Sequence, residues 1–386
     1  MNTMAGLFLI PVLLAPQDPS PLPPDPVKGE IIQVLESFDN PEGSIFSADG
    51  KYVFISNPAI PHPDKGFGFP IGGGFISKLK VMPDGKLEMV HLSFIGGLTP
   101  PLGMAALPVA TAKFPAGSIF VCCATGMLQH KDGTAVKDPK RMDPKLVIFD
   151  PEGTIHGEIK TGPESAFAQK TGVPALLLNA AAFDAQGNLY LADSGMVGET
   201  FDPPVQAKPG VFRVLHDQLD ALAGGKGSPE TLGFIPVPGM PDGVEAAPDG
   251  SIHINTIGAA AGGDDPAKGG LYKLTQDHFA KGELPEPFGR DLGGLDGLTF
   301  AGTVRLDTEV MTHNAVVITA PNHPTRRLVL EPERALRGPA DIAIRRREDG
   351  SWLLIIPELS ADDKDKDEKR DAVTVVLLPK HAFERN

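Results

Sequence analysis

Pro241-Asp242-Gly243-Val244-Glu245-Ala246-Ala247-Pro248-Asp249-Gly250-Ser251-Ile252-His253-Ile254-Asn255 carries the pattern on which the reading of this chain turns. A polar residue opens it, an apolar strand follows, Asp-Gly turns the chain, and a second apolar strand returns. Residues 41–57 and 178–193 repeat the phrase with variation. In all three copies a polar residue (Glu42, Asn179 or Asp242) stands seven positions before the residue that precedes the turn glycine. Looser copies begin at Leu102, at Asp296 and at Ala340 or Asp341, so six units start near 42, 102, 179, 242, 296 and 340. Repetition on this scale points to radial or stacked repeats rather than one wound sheet.

Further apolar runs at 74–80, 145–150, 210–215 and 270–274 supply third strands, and runs at 87–92 and 154–159 supply fourth ones. Four antiparallel strands per unit, six times over, predict an all-β, six-bladed β-propeller. In the fifth unit the second strand is placed at 315–319. The last unit offers strands at 341–346, 352–356 and 372–378 and no fourth, which the run 30–36 supplies from the other end. Such a clasp removes an exposed sheet edge. The 44 Gly and 39 Pro suit strands and turns, and only residues 218–223 and 276–281 suggest single helical turns.

The chain has 386 residues and a net charge of −14, which excludes a nucleic-acid partner bound through clustered Lys and Arg. The expected organisation is a signal peptide or hydrophobic anchor at 1–15, a Pro-rich linker at 16–29 and one propeller over 30–386. Residues 4–14 are apolar but too short to span a bilayer as a helix. Export to a secreted or periplasmic location is therefore expected. A membrane anchor through that segment, or a cytoplasmic location, is the alternative. Cys122 and Cys123 are neighbours, which suits neither a disulfide framework nor a CxxC site, and both are expected to be packed thiols on opposite strand faces. The charged run 361–370 reads as a solvated loop.

In a propeller the innermost strands surround a central channel, so equivalent positions form one ring. Here that ring is Glu42, Leu102, Asn179, Asp242 and Asp296, with Ala340 or Asp341 from the last unit. Several carboxyls converging without a partner are costly to bury, and an all-oxygen set suits a hard divalent cation. The competing reading is that Asp before Gly only caps its own turn; that reading is assigned outright to Asp49, Asp249 and Asp349. His253 reads as a packed histidine. His62, Asp193, Ser194 and His323 fall in loops that reach the channel mouth and are candidates for substrate binding. Long loops at 59–72, 125–144 and 194–209 suggest a partly covered mouth.

The chain resembles the senescence-marker-protein/gluconolactonase family. The similarity lies in Pro41-Glu42-Gly43, in Leu178-Asn179 with the run 183–190, and in Met240-Pro241-Asp242-Gly243. The resemblance implies hydrolysis of a sugar lactone or related small ester with one divalent cation in the channel, calcium foremost and zinc, magnesium or manganese as alternatives. It implies Glu42, Asn179 and Asp242 as metal ligands and Asp242 or Asp296 as the general base. Leu102 stands where a second amide is expected, and Ala180 follows Asn179 where the family carries Gly. A non-catalytic exported propeller that binds a protein or small ligand on its top face, with a structural metal, stays open beside the hydrolase.

Overall fold

The computed structural model describes residues 26–60, 69–125, 128–130, 134–197, 201–258, 269–289, 292–311, 313–320, 324–359 and 371–384. Strand β1 (Val27–Leu35) leads into a first sheet of β2 (Ser44–Phe46), β3 (Tyr52–Asn57), β5 (Gly74–Val81) and β6 (Leu87–Leu98). Between them β4 (Phe69–Pro70) leaves the sheet to pair with β9 (Leu128–Gln129). A second sheet holds β7 (Pro101–Ala106), β8 (Ile119–Cys123), β10 (Lys145–Phe149) and β11 (Ile155–Lys160). A third holds β12 (Leu178–Phe183), β13 (Leu189–Asp193), β14 (Gly210–Val214) and β15 (Leu232–Pro236).

The fourth sheet has three described strands, β16 (Pro241–Ala246), β17 (Ile252–Thr256) and β18 (Leu271–Leu274). Four strands were expected. After β18 the chain turns into a short helix capped by Thr275, and Pro285 and Pro287 then remove backbone donors that a ladder needs. Only an isolated bridge, Leu271 to Gly289, marks the outer edge.

The remaining strands form one eight-stranded sheet made of two antiparallel runs. The first is β19 (Leu295–Ala301), β20 (Val304–Glu309), β21 (Ala315–Thr319) and β22 (Arg326–Glu331). The second is β23 (Ala343–Arg346), β24 (Trp352–Glu358), β25 (Ala372–Leu378) and β1. The second strand of the fifth unit is thus β20, not the run 315–319, which is the third. Its turn is Gly302 in the left-handed region (φ 63°), without the Asp-Gly pair that marks the hairpins of the first, fourth and last units. β1 pairs antiparallel with β25 and parallel with β22, so it supplies the missing fourth strand of the last unit and joins that unit to its neighbour.

The first strand of every unit touches the first strand of the next. β2 lies against β7, β7 against β12, β12 against β16, β16 against β19, β19 against β23, and β23 returns to β2. This closed ring of six strands surrounds the cavity discussed below. Apolar residues fill the space between neighbouring sheets. Phe54 meets Phe149 edge-on at 5.6 Å between the first and second sheets, and Phe120 meets Phe183 at 5.0 Å between the second and third. Cys122 packs with Leu146 and Phe120 on one face of its sheet and Cys123 with Phe54 and Phe149 on the other, so both thiols are core residues. Burial pushes the Cys123 thiol up to about 12.

Three short helices, α1 (Ala166–Thr171), α2 (Leu219–Ala223) and α3 (Gln276–Lys281), sit outside the sheets. Two of them fall on the helical turns expected from sequence. No helix among the described residues is long and apolar enough to cross a membrane. The apolar run 4–14 and the charged run 361–370 lie outside the described residues.

Candidate functional site

The ring residues reach the cavity because the innermost strands bulge. Pairing of β7 with β8 slips between Pro101 and Met104, of β12 with β13 between Leu178 and Ala180, of β16 with β17 between Pro241 and Val244, and of β19 with β20 between Leu295 and Leu298. Leu102, Asn179, Asp242 and Asp296 all sit within those slips. A bulge frees one residue from the ladder and re-aims its side chain. The backbone N–H released beside it is caught by a side chain of the second strand. Gly43 donates to Ser56 Oγ at 2.6 Å, Gly243 to Asn255 Oδ1 at 2.7 Å, and Gly297 to Thr308 Oγ1 at 2.7 Å.

The glycine after the ring residue is there for space. A Cβ on Gly43 would lie 2.5 Å from Leu102 O, on Gly103 2.5 Å from Asn179 O, on Gly243 2.5 Å from Asp296 O, and on Gly297 2.4 Å from Asp341 Cα. Each glycine seats against the ring residue of the following unit, which brings the six inner strands into close contact. The Asp-Gly pairs at 242 and 296 are therefore not hairpin turns. The turn aspartates behave differently: Asp49, Asp249 and Asp349 accept N–H bonds from Lys51, Ser251 and Ser351 at 3.0, 3.0 and 2.9 Å.

Glu42, Asn179, Asp242, Asp296 and Asp341 line one cavity of about 180 Å³. Asp341, not Ala340, is the contribution of the last unit. It accepts a hydrogen bond from Ser44 N at 2.7 Å, while Ala340 O accepts from Gly297 N at 2.6 Å. Leu102 is packed in the core and Gly103 takes its place in the wall. The carboxyls are well buried: Asp242 is 2% exposed, Glu42 7% and Asp296 8%. Among the described residues, no Lys, Arg or His lines the cavity.

Burial with like charge nearby holds all four acids above the usual carboxyl range. Desolvation first, and then Asp341, push Asp242 up to about 8, against hydrogen bonds from Asp296 and Asn179 that work the other way. Glu42 is raised well above its ordinary value by burial, then by Asp242 and Asp341. Asp296 is raised likewise by burial, then by Asp242, Glu42 and Asp341. Burial lifts Asp341 to about 6, moderated by the Ser44 and Ile342 N–H groups.

Sequence reasoning missed Glu245, which also lines the cavity and is held up at about 8, mainly by burial. Three residues after Asp242, a regular strand would turn it to the opposite face; the bulge at Gly243 restores it to the same one. Three buried oxygens in the ring have no hydrogen-bond partner: Glu42 Oε2, Asn179 Oδ1 and Asp242 Oδ2.

The candidate substrate contacts fare differently. Asp193 is buried away from the cavity wall, where its Oδ1 accepts from Leu177 N at 3.2 Å and Gly195 N at 2.9 Å. Asn57 and Glu309, at the ends of their own second strands, bind loop N–H groups in the same manner. Burial raises Asp193 to about 6 against those backbone bonds. Ser194 is buried beside Asn179 and is not part of the wall. His62 and His323 lie outside the described residues. His253 is packed between Phe288 and Phe300, and burial and the neighbouring Arg305 hold it down at about 3.

Sheets arranged around a ring of inner strands, with side chains converging on the axis, define a β-propeller of gluconolactonase-like fold. Among solved structures, the chain is similar to a putative gluconolactonase, with 14% identity, 90% of this chain and 92% of that one covered, and a TM-score of 0.52. It is similar to the gluconolactonase of Xanthomonas campestris, with 12% identity, 95% and 99% covered, and a TM-score of 0.51. The PQQ-bound aldose sugar dehydrogenase of Streptomyces coelicolor shares 12% identity over 92% and 99%, with a TM-score of 0.53. Identity at this level establishes the fold alone. No family model and no curated protein matches the sequence.

Proposed function

We propose that this chain is a six-bladed β-propeller that hydrolyses a lactone or related small ester, assisted by one divalent cation held by Glu42, Asn179 and Asp242. The observation that carries the reading is the set of three unpartnered oxygens on those residues, which line one cavity that no basic side chain among the described residues lines. Among the described residues, no three His, Cys, Asp or Glu side chains already converge as a metal-holding group. The set proposed contains only two carboxylates and completes itself with an amide oxygen. Hard oxygen donors of this kind favour calcium, with magnesium, manganese and zinc as competitors. The six-blade reading is supported by the closed ring of first strands and by β1 completing the last unit.

Such an ion, when bound, supplies Lewis-acid polarisation of the ester carbonyl and lowers the pKa of water. The chain's own residues do the rest. Asp296, which lines the same cavity as Asp242, serves as the general base that accepts the proton of the attacking water. Asp341 is held in place by Ser44, in the unit between those of Asp296 and Glu42. His62 and His323 stand as candidates for contact with the substrate from the mouth.

Metal content of the purified protein, before and after chelation, with turnover of a lactone panel followed alongside, tests this. About one ion per chain, with hydrolysis lost on chelation and regained with calcium, is the expected result. An ion without turnover, whose removal lowers the melting temperature, identifies a binding propeller with a structural metal. No ion overturns the reading.

A further inference from the structure

We infer that Ser194 is the positioning residue that orients the Asn179 amide so that its oxygen, not its nitrogen, faces the cation. The inference rests on the metal site proposed above. An amide can present either atom to the channel, and only the oxygen is a ligand for a hard cation. The choice must come from the neighbours. Ser194 Oγ donates to Pro241 O at 2.9 Å, and that bond uses the single hydroxyl hydrogen. What the hydroxyl offers Asn179 is therefore a lone pair, which only the amide N–H can meet. Asn179 Nδ2 donates to it at 3.4 Å.

With Nδ2 engaged by Ser194, Oδ1 is left buried and unpartnered on a residue that lines the cavity. Ser194 is 2% exposed and its own N–H is bonded to Leu177 O at 3.0 Å, so its backbone is fixed beside Asn179 while the bond to Pro241 O holds the hydroxyl. It also ties the Asn179 unit to Pro241, the residue before Asp242, and so sets two of the three proposed ligands against each other.

The test is calcium titration by isothermal calorimetry on the whole protein, with melting in chelator as a folding control. Ser194→Ala should fold, melt in chelator close to the native protein, and bind calcium about 10- to 100-fold more weakly. Ser194→Thr, which keeps the hydroxyl, should restore most of that loss. Asn179→Asp supplies the decisive background, because a carboxylate presents oxygen whichever way it turns. There, Ser194→Ala should cost no more than about twofold.

Native-like calcium affinity in Ser194→Ala overturns the inference, as does an equal loss in both backgrounds. If the native protein binds no calcium, the metal site itself fails and the inference falls with it. That outcome is distinct from a native protein that binds while the serine proves indifferent.

Discussion

The hairpin of β16 and β17 contains the dipeptide Asp-Gly twice, and the two copies have opposite physics. At 249–250 the aspartate sits at the solvent, bonded to Ser251 and to Lys273, with its carboxyl held well below the ordinary range first by Lys273 and then by Ser251. Its glycine adopts φ 80° with open space around it, so conformation is what the turn demands. At 242–243 the aspartate is buried among other acids and its carboxyl is held up at about 8. Its glycine must lack a Cβ because the next strand is against it. The first pair makes a turn; the second makes a site. The same two letters acquire different meanings from burial and from a bulge, neither of which is local to them.

The comparison breaks most decisively on cation binding. Asp242→Asn should weaken calcium binding by more than about 100-fold, while Asp249→Asn leaves it unchanged in the same titration. Equal effects would mean that the channel acids are ordinary caps.

Acidity gives the next contrast. Asp242 and Asp341 retain protons in the folded, metal-free protein up to about 8 and about 6, whereas the unfolded chain releases them near pH ~4. The folded state then binds more protons than the unfolded one between about pH 4 and 8, so stability falls as pH rises through that window. Asp49, held at about 2, has the opposite sign: its contribution is present above the ordinary carboxyl range and is lost as pH falls towards 2. Thermal melts in chelator should show a lower melting temperature at pH ~8 than at pH ~5.5, and Asp242→Asn should flatten the slope. A melting temperature that rises across this window would refute the burial argument.

The glycines sharpen the contrast further. Gly243→Ala forces a Cβ against Asp296 O and should cost about 1–3 kcal/mol in chemical denaturation. Gly250→Ala meets no neighbour and should cost about 1–2 kcal/mol, through its left-handed backbone alone. The smallest effect is Asp249→Ala, below about 1 kcal/mol by the same measurement, because its ion pair and turn bonds face water.

Much of this was legible in the sequence because it is carried by spacing. Glu42, Asn179 and Asp242 stand at one distance from their turns, and each landed in one cavity with Asp296. The closing strand was legible because the last unit lacked a fourth run. What escaped depends on register. Glu245 reads as facing away until the bulge at Gly243 is known. Asp341 was ambiguous with Ala340 because Ile342 follows it where glycine follows the ring residue in four of the other units. β20 lacked the Asp-Gly signal present at 49–50, 249–250 and 349–350. Ser194 was read as a substrate contact because it follows a strand end near the mouth; its bond to Pro241 O is made across units and has no counterpart in local sequence.

The parallel pairing of β1 with β22, beside its antiparallel pairing with β25, bears on how the molecule comes into being. Glu30 faces Leu377 in that ladder, so the strand made early must wait for one made late. Contacts this distant in sequence carry the slowest kinetics of any in a domain. During synthesis, Glu42, Asn179 and Asp242 all emerge before the strand that locks the ring. The ring of acids is therefore held closed by a ladder that pairs the first of the described strands with the last.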